Sequence, residues 1–247
     1  MAYIVLNGQN IYFEKTGNKG KPVILLHGWG QNTQMMDFIA KFLSKHFVVY
    51  NIDFPGFGNS EEPKSVWGCE EYTDIIRSFC IAKKIENPIF IAHSFGCRIA
   101  VRYAYKYQTN KMVLTGAAGL RDKRTLSWYV KTYSYKIAKK LLPNGIKNKF
   151  INKVGSSDYK NTSGIMRGTF VKVVNDDVKD LLPSINTETL LVFGENDDQT
   201  PTKKGKLMEK LMPNAALVVF ENDDHFAYIN EAQRFNAVLD AFLRSEY

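Results

Sequence analysis

Short aliphatic runs alternate with longer segments of mixed polarity along most of the chain. The runs are nearly continuous in apolar residues, which is typical of strands covered on both faces of a parallel sheet. The predicted strands occupy residues 22–28, 47–52, 88–92, 111–115, 189–193 and 216–220. The predicted helices occupy residues 33–45, 70–84, 95–107, 203–212 and 231–243. This alternation predicts an α/β fold with right-handed crossovers.

A further pair of strands is predicted at the start of the chain. Two β-prone runs, at residues 5–6 and 11–13, lie on either side of a segment that contains Asn7-Gly8. An Asn-Gly pair favours the two-residue turn of a hairpin, because both residues tolerate a positive φ. The chain is therefore expected to open with an antiparallel hairpin.

One interval, residues 120–183, contains no buried-strand run and has a helical pattern instead. Its two apolar stripes have the spacing of a single helix face. The first stripe consists of Leu126, Val130, Tyr133, Ile137 and Leu141, and it ends at Pro143 and Gly145. The second stripe consists of Met166, Phe170, Val174 and Val178. We expect a helical cap inserted into a single domain that spans residues 1–247.

The composition is that of a globular protein. Of the 247 residues, 45% are hydrophobic and 23% are charged. No apolar segment approaches the roughly 18 residues of a membrane-spanning helix, and the N-terminus lacks the features of a signal peptide. A cytoplasmic protein without a transmembrane segment is predicted. The three cysteines, Cys69, Cys80 and Cys97, have no metal-like spacing and predict neither a disulfide framework nor a zinc site.

The net charge of +8 is concentrated in the expected cap. Between Leu120 and Lys160 there are eleven basic and two acidic residues, interleaved with aromatic residues such as Trp128 and Tyr129. Three interpretations remain open: a solvated helix face, recognition of an acidic substrate or acyl-carrier protein, and contact with an anionic membrane surface. Nucleic acid is not expected as a partner, because no binding motif accompanies the charge.

A candidate nucleophile lies between a predicted strand and a predicted helix. The segment reads Ala92-His93-Ser94-Phe95-Gly96, with small residues two positions before and after Ser94. A sharp strand-to-helix turn of this kind raises the serine hydroxyl above the sheet at a helix N-terminus. The usual motif has glycine at the first position, where this chain has alanine. The alternative interpretation is a serine that caps an ordinary helix.

A serine nucleophile needs a base, and the four histidines allow a choice by elimination. His93 is expected to project away from its neighbour Ser94, His27 ends an upstream strand, and His46 lies at a polar helix end. His225 remains, on a loop after the last predicted strand, at the sheet edge where open α/β sheets place their sites.

The third member of such a triad is a carboxylate that orients the histidine. Two candidates follow the strand at residues 189–193. Asp197 is our choice and Asp198 is the rival, because adjacent carboxylates on a turn cannot both face one ring. The alternative is an Asp pair that only caps a turn and a helix. The order Ser94, Asp197, His225 is the serine–acid–histidine order of α/β hydrolytic folds.

Two backbone amides are needed to hold the oxyanion of a tetrahedral intermediate. The Phe95 amide follows the nucleophile directly. We assign the second to Trp29, in the glycine-rich loop His27-Gly28-Trp29-Gly30, which could equally be a plain strand-to-helix turn. No dinucleotide fingerprint and no Walker-type phosphate loop occurs, so no cofactor or metal is expected.

With these positions identified, the chain resembles the α/β-hydrolase superfamily over nearly its full length. The resemblance rests on five features in order, namely His27-Gly28-Trp29-Gly30, the segment from Asp53 to Ser60, the Ser94 turn, Gly194 with Asp197, and His225-Phe226. It implies an eight-stranded, mostly parallel sheet, with a helical cap between the sixth and seventh strands. It also implies that Asp53 is structural.

The resemblance implies hydrolysis by an acyl-enzyme mechanism. Haloalkane dehalogenases and epoxide hydrolases are similar elsewhere but have aspartate in place of Ser94. The His27 loop and the compact cap look similar to those of bacterial carboxylesterases, including esterases of acyl-chain methyl esters. A small-molecule acyl ester is the expected substrate. Thioester, amide and carbon–carbon bond hydrolysis remain open, as does a small-molecule receptor that uses the same cleft.

Overall fold

An eight-stranded sheet forms the centre of the computed structural model, which describes residues 1–121, 159, 162 and 164–247. Its spatial order is β1-β2-β4-β3-β5-β6-β7-β8. Strands β3 to β8 pair with one another in parallel. Strand β2 pairs antiparallel with β1 on one side and with β4 on the other. The strands are β1 (Ala2–Leu6), β2 (Gln9–Thr16), β3 (Pro22–Leu26), β4 (Val48–Ile52), β5 (Ile89–His93), β6 (Lys111–Thr115), β7 (Glu188–Gly194) and β8 (Ala215–Phe220). The predicted fold class, α/β with a mostly parallel eight-stranded sheet, is confirmed.

The opening hairpin is also confirmed. Leu6 pairs with Gln9, and the two residues between them have positive φ values of 51° at Asn7 and 75° at Gly8. Two successive positive φ values are the requirement of a tight two-residue hairpin turn, and an Asn-Gly pair meets it at little steric cost. β2 then pairs with β4 and joins the hairpin to the parallel strands.

Helices cover both faces of the central sheet, which explains why strands such as β3 and β5 are apolar along almost their full length. One face packs against α2, α3 and α5, with Leu26 and Phe79 among the buried side chains. The other face packs against α1 and α7, with Leu25 and Leu239 among them. The described helices are α1 (Asp37–Leu43), α2 (Cys69–Ala82), α3 (Phe95–Lys106), α4 (Gly164–Val174), α5 (Thr202–Leu211), α6 (Ala227–Asn230) and α7 (Ala232–Leu243).

The helix predicted at residues 33–45 is divided in the structure. A 3₁₀ turn at Thr33–Met36 precedes α1. The Asn32 side chain accepts the Gln34 amide, and the Asp53 carboxylate accepts the Thr33 amide, so the first turn is held from outside the helix. Apolar spacing alone does not reveal such long-range bonds.

Part of the expected cap lies within the described residues. In α4 the buried side chains include Met166, Phe170 and Val173, whereas Val174 is 40% exposed. The predicted stripe was therefore wrong at Val174, because after Met166 and Phe170 the helical period returns to the same face at Val173. Val178 is buried but lies beyond the helix end.

Other predictions about the cap cannot be scored on these residues. The first predicted stripe, residues 126–141, lies outside the described part of the chain. The cap boundaries at 120–183 and the single-domain organisation stay predictions. None of the described helices is long and apolar enough to cross a membrane. A cytoplasmic location also stays a prediction.

Candidate active site

Ser94 occupies a strained turn between β5 and α3. Its backbone has φ 48° and ψ −105°, a conformation that L-residues with a side chain rarely adopt. An ordinary N-cap has extended backbone and a side-chain bond to the helix, and Ser94 has neither. The Ser94 amide donates to the Thr115 carbonyl of β6 at 3.0 Å, which ties the turn to the neighbouring strand. The turn thus has the geometry predicted for a nucleophile.

The small residues around Ser94 are required by close packing. Ala92 is fully buried in β5. At Gly96 an added Cβ would lie 2.4 Å from the Leu26 carbonyl oxygen, which is too close for any side chain. α3 therefore begins directly against the end of β3, the strand that leads into the loop of Trp29.

Asp197 and His225 form a buried hydrogen-bonded pair. His225 Nδ1 lies 2.7 Å from Asp197 Oδ2, and both residues are almost fully buried. The neighbouring Asp198 is exposed. Of the two rivals, Asp197 is the one that the structure brings to the histidine.

Four hydrogen-bond donors surround the Asp197 carboxylate. The amides of Gln199 and Thr200 donate to Oδ1 at 2.9 and 2.7 Å. The Thr200 hydroxyl donates to Oδ2 at 2.7 Å, alongside His225. Burial alone would raise the pKa of Asp197, but the bonds from His225 and Thr200 outweigh it and hold that pKa below its usual value. The carboxylate is therefore ionised at neutral pH.

The His225 ring lies over the carboxyl ends of β5 and β6. Its centroid is 4.7 Å from that of His93, the residue before Ser94. A Cβ added at Gly116, just after β6, would lie 2.9 Å from His225 Nδ1. Since Nδ1 is engaged by Asp197, Nε2 is the ring nitrogen available for proton exchange.

The other histidines have different surroundings. His27 is buried with both ring nitrogens bonded, to the Gly28 carbonyl and the Phe54 amide, and burial lowers its pKa to about 4. The pKa of His93 is lowered well below its usual value, mainly by burial and to a lesser extent by the nearby His225. His46 is exposed and stacks on Tyr247. His225 is thus the histidine that is bonded to a carboxylate.

Sequence reasoning missed two neighbours of His225. His93 was expected only to project away from Ser94, and its contact with His225 was not foreseen. Thr200 was given no role at the site. Its signal was present as an Asp-x-x-Thr spacing in a turn, a spacing at which a threonine can bond back to the carboxylate.

Trp29 and Phe95, the two predicted oxyanion residues, lie side by side. Their ring centroids are 5.4 Å apart. Gly28 packs against the His93 ring, since an added Cβ would lie 2.9 Å from His93 Cδ2, and Gly30 has a φ of 72°. Gly28 therefore lets the loop after β3 approach the residue before Ser94 closely, and Gly30 provides the positive φ of the loop.

An aromatic cluster surrounds the Trp29 ring. The half-buried indole contacts Phe57, Phe95 and Phe170, with centroid distances of 4.8, 5.4 and 5.1 Å. Phe170 belongs to α4, so this helix packs directly on the loop of Trp29. Phe170 is also a member of the second predicted cap stripe, so that stripe contacts the Trp29 loop.

Asp53 has a structural role in the described residues, as the resemblance implied. Its Oδ1 accepts the Thr33 amide at 2.6 Å, and its Oδ2 accepts the Asn59 amide at 2.8 Å. Gly58 has a φ of 54°, and an added Cβ there would overlap the Asp53 carboxylate. The carboxylate thus joins the turn after β4 to the start of the helical segment at Thr33.

Within the described residues, the surroundings of Ser94 contain no metal site. No group of three or more His, Cys, Asp and Glu side chains there is placed to hold a metal ion. A polar cleft of about 730 Å³ lies at the opposite, amino edge of the strands, near Asn87 and Glu188. We place the candidate site at the carboxyl edge because the strained turn and the buried acid–histidine pair lie there.

Comparison with known proteins identifies the family. The sequence profile described as the Alpha/beta hydrolase family matches residues 23–238. The AB hydrolase superfamily protein YisY of Bacillus subtilis is 25% identical, with 95% of this chain and 96% of that protein covered. A pimeloyl-(acyl-carrier protein) methyl ester esterase of Aliivibrio fischeri is 23% identical, with 94% and 97% covered.

Solved structures share the fold. The esterase EaEST of Exiguobacterium antarcticum has a TM-score of 0.77 at 22% identity, with 98% of each chain covered. The meta-cleavage product hydrolase CumD of Pseudomonas fluorescens has a TM-score of 0.77 at 21% identity, with 100% of this chain and 98% of that chain covered. Taken together with the profile match over most of its length, these findings show that the chain belongs to the α/β-hydrolase family.

Proposed function

We propose that this protein is a serine hydrolase that cleaves a carboxylic ester through an acyl-enzyme, with Ser94, His225 and Asp197 as its triad. The observation that carries the proposal is the buried Asp197–His225 pair at the sheet edge where Ser94 is held in a strained turn. A histidine oriented by an ionised carboxylate is the base that a serine nucleophile requires.

The first half of the reaction forms the acyl-enzyme. Ser94 Oγ attacks the acyl carbon while His225 Nε2 takes the hydroxyl proton. Asp197 stabilises the imidazolium, because its lowered pKa keeps it ionised. The intermediate then collapses, and His225 returns the proton to the departing alcohol.

The second half releases the acid. Water attacks the acyl carbon, His225 accepts its proton, and the carboxylic acid leaves as Ser94 regains its hydrogen. One ester and one water thus become one acid and one alcohol. In both halves the amides of Phe95 and Trp29 are the proposed oxyanion donors, and the Phe95 amide lies in the first turn of α3, where the helix dipole favours negative charge.

The proposed substrate is a small acyl ester with an apolar acyl group. The aromatic cluster of Trp29, Phe57, Phe95 and Phe170 supports an apolar wall beside Ser94. The excess of basic residues at 120–160 supports an acidic feature in the substrate or its carrier. Relatives named as pimeloyl-(acyl-carrier protein) methyl ester esterases agree with both features, and we propose that the acyl group is presented on an acyl-carrier protein.

Replacement of Ser94 by alanine tests the proposal. We expect Ser94→Ala to lower kcat by about 10⁴-fold or more, because the nucleophile is lost while the binding surface remains. The assay is hydrolysis of an ester panel that varies in acyl length, together with matched thioesters and amides. His46→Ala, an exposed histidine remote from the pair, is the control and should retain full activity.

A labelling experiment separates an enzyme from a receptor. A fluorophosphonate probe should form an adduct on Ser94 in the native protein, and peptide mapping identifies the modified residue. Ester hydrolysis that persists in Ser94→Ala would contradict the assignment of Ser94 as the nucleophile. Absence of any adduct and of any turnover would favour a small-molecule receptor instead.

A further inference from the structure

Thr200 contacts both oxygens of the Asp197 carboxylate. It lies three residues after Asp197, just before Pro201 and the start of α5, and only 5% of it is exposed. Its amide donates to Oδ1 and its hydroxyl to Oδ2, each at 2.7 Å. Rotation of a carboxylate about its Cβ–Cγ bond is otherwise weakly restricted. A single residue that bonds to both oxygens therefore restrains that rotation.

The Thr200 hydroxyl also faces the histidine. Its oxygen lies 3.2 Å from His225 Nδ1, the nitrogen that is 2.7 Å from Asp197 Oδ2. An ionised carboxylate can only accept, so the hydroxyl gives its single proton to Oδ2. The lone pairs of the hydroxyl oxygen are then free to accept the Nδ1–H group of His225. The imidazole thus has its main acceptor in Asp197 and a weaker second acceptor in Thr200.

We infer that Thr200 is a positioning residue of the triad, whose hydroxyl holds the Asp197 carboxylate in the orientation that receives His225 Nδ1. This inference rests on the proposed function, since it concerns the same Asp197–His225 pair. The amides of Gln199 and Thr200 restrain only Oδ1. The hydroxyl is the group that restrains Oδ2, the oxygen facing the base.

The variants Thr200→Val and Thr200→Ser isolate the hydroxyl. Valine keeps the branched shape and the backbone amide but removes the hydroxyl. We expect Thr200→Val to lower kcat about tenfold with little change in KM, which is the scale of one hydrogen bond to a charged group. Thr200→Ser, which retains a hydroxyl, should restore most of the activity.

The pH profile distinguishes positioning from packing. With one donor fewer, the Asp197 carboxylate holds the proton of the charged imidazole more strongly. The acidic limb of kcat/KM should therefore move to higher pH in Thr200→Val and return in Thr200→Ser. If Thr200 only packed against the loop, its substitution would leave the acidic limb of the kcat/KM profile unchanged.

Thr202→Val is the matched control. Thr202 is the first residue of α5, and its hydroxyl donates to the Gly194 carbonyl at 3.0 Å, without a bond to Asp197 or His225. Thermal unfolding of every variant reports on folding. Should Thr200→Val fail to fold, the pair Thr200→Ser and Thr200→Ala differs only in the hydroxyl and gives the same comparison.

The outcomes separate this inference from the proposed function. A wild-type protein that hydrolyses esters and is labelled on Ser94, together with a Thr200→Val variant that behaves like Thr202→Val, would overturn the role of Thr200 alone. A loss of activity that Thr200→Ser does not restore would overturn it too. A folded wild-type protein with neither turnover nor labelling would overturn the proposed function and this inference together.

Discussion

At the scale of single residues, the turn after β7 gives two adjacent aspartates opposite environments. The Asp197 side chain turns inward because the amides of Gln199 and Thr200 fold over its Oδ1. Successive side chains on such a turn point in different directions, so Asp198 faces solvent. The choice of acid therefore depends on the bonds within the turn and not on the identity of the residue.

Asparagine substitutions at these two positions test the assignment. Asp197→Asn should lower kcat by roughly 10³- to 10⁴-fold, because a neutral amide neither stabilises the imidazolium nor selects the required tautomer. Asp198→Asn, the matched control, should remain within about twofold of wild type, as expected of an exposed side chain. Steady-state ester hydrolysis measures both. A greater loss in Asp198→Asn than in Asp197→Asn would transfer the role to Asp198.

At the scale of elements, the junctions between strands and helices shape the site. α3 begins against β3 because Gly96 leaves room for the Leu26 carbonyl, and this brings the Phe95 amide toward the loop of Trp29. α4 reaches the same loop from the cap side through Phe170. The loop that supplies a proposed oxyanion donor is thus packed between the sheet end and a cap helix.

A substitution in α4 tests this packing. Phe170→Ala should lower the free energy of unfolding by roughly 3–5 kcal/mol, because a large buried ring is removed. It should also lower kcat/KM for esters, because the Trp29 loop loses a contact. Val174→Ala, on the exposed side of the same helix, should change stability by less than about 0.5 kcal/mol. Chemical denaturation and ester assays measure the two effects, and equal behaviour of the two variants would contradict the proposed contact.

At the scale of the whole molecule, the excess of basic residues and the proposed catalytic residues lie in different segments of the sequence. The residues of the proposed triad follow β5, β7 and β8, whereas the basic excess lies at residues 120–160, between β6 and β7. Strand β7 therefore resumes the sheet after the inserted segment. This arrangement allows the substrate preference to differ between relatives while the sheet edge retains its chemistry.

Salt dependence tests whether the basic segment recognises acidic substrates. For an ester with a carboxylated acyl chain, kcat/KM should fall as ionic strength rises, because salt screens the attraction. A neutral ester of equal chain length is the matched control and should change little. Parallel curves for the two esters would instead support a solvated helix face.

Local pattern was sufficient for much of the fold and part of the site. Aliphatic runs predicted each parallel strand to within about two residues, as expected where local periodicity and burial agree. Asn7-Gly8 predicted the hairpin for the same local reason. The sharp turn at Ser94 was predicted from its flanking strand and helix, and His225 was selected as the candidate base by elimination among four histidines. Each of these inferences needed only neighbours in the chain or a short list of candidates.

Other features depended on contacts between distant segments. The 3₁₀ turn at Thr33 is held by a bond from the Thr33 amide to Asp53, which follows β4. The contact between His93 and His225 joins the end of β5 to the loop after β8. Neither of these pairings leaves a periodic trace in the sequence.

The sequence by itself determined the order of strands and helices and the sharp turn at Ser94, because short-range sterics and periodicity encode them. It also left His225 as the one candidate base, since the chain has only four histidines. Tertiary structure alone decided that Asp197 and not Asp198 meets His225, and that Thr200 closes on the same carboxylate. The reason is physical. Strand order brings the carboxyl ends of distant segments to one edge, and there hydrogen bonds across the turn, not residue type, set the direction of each side chain.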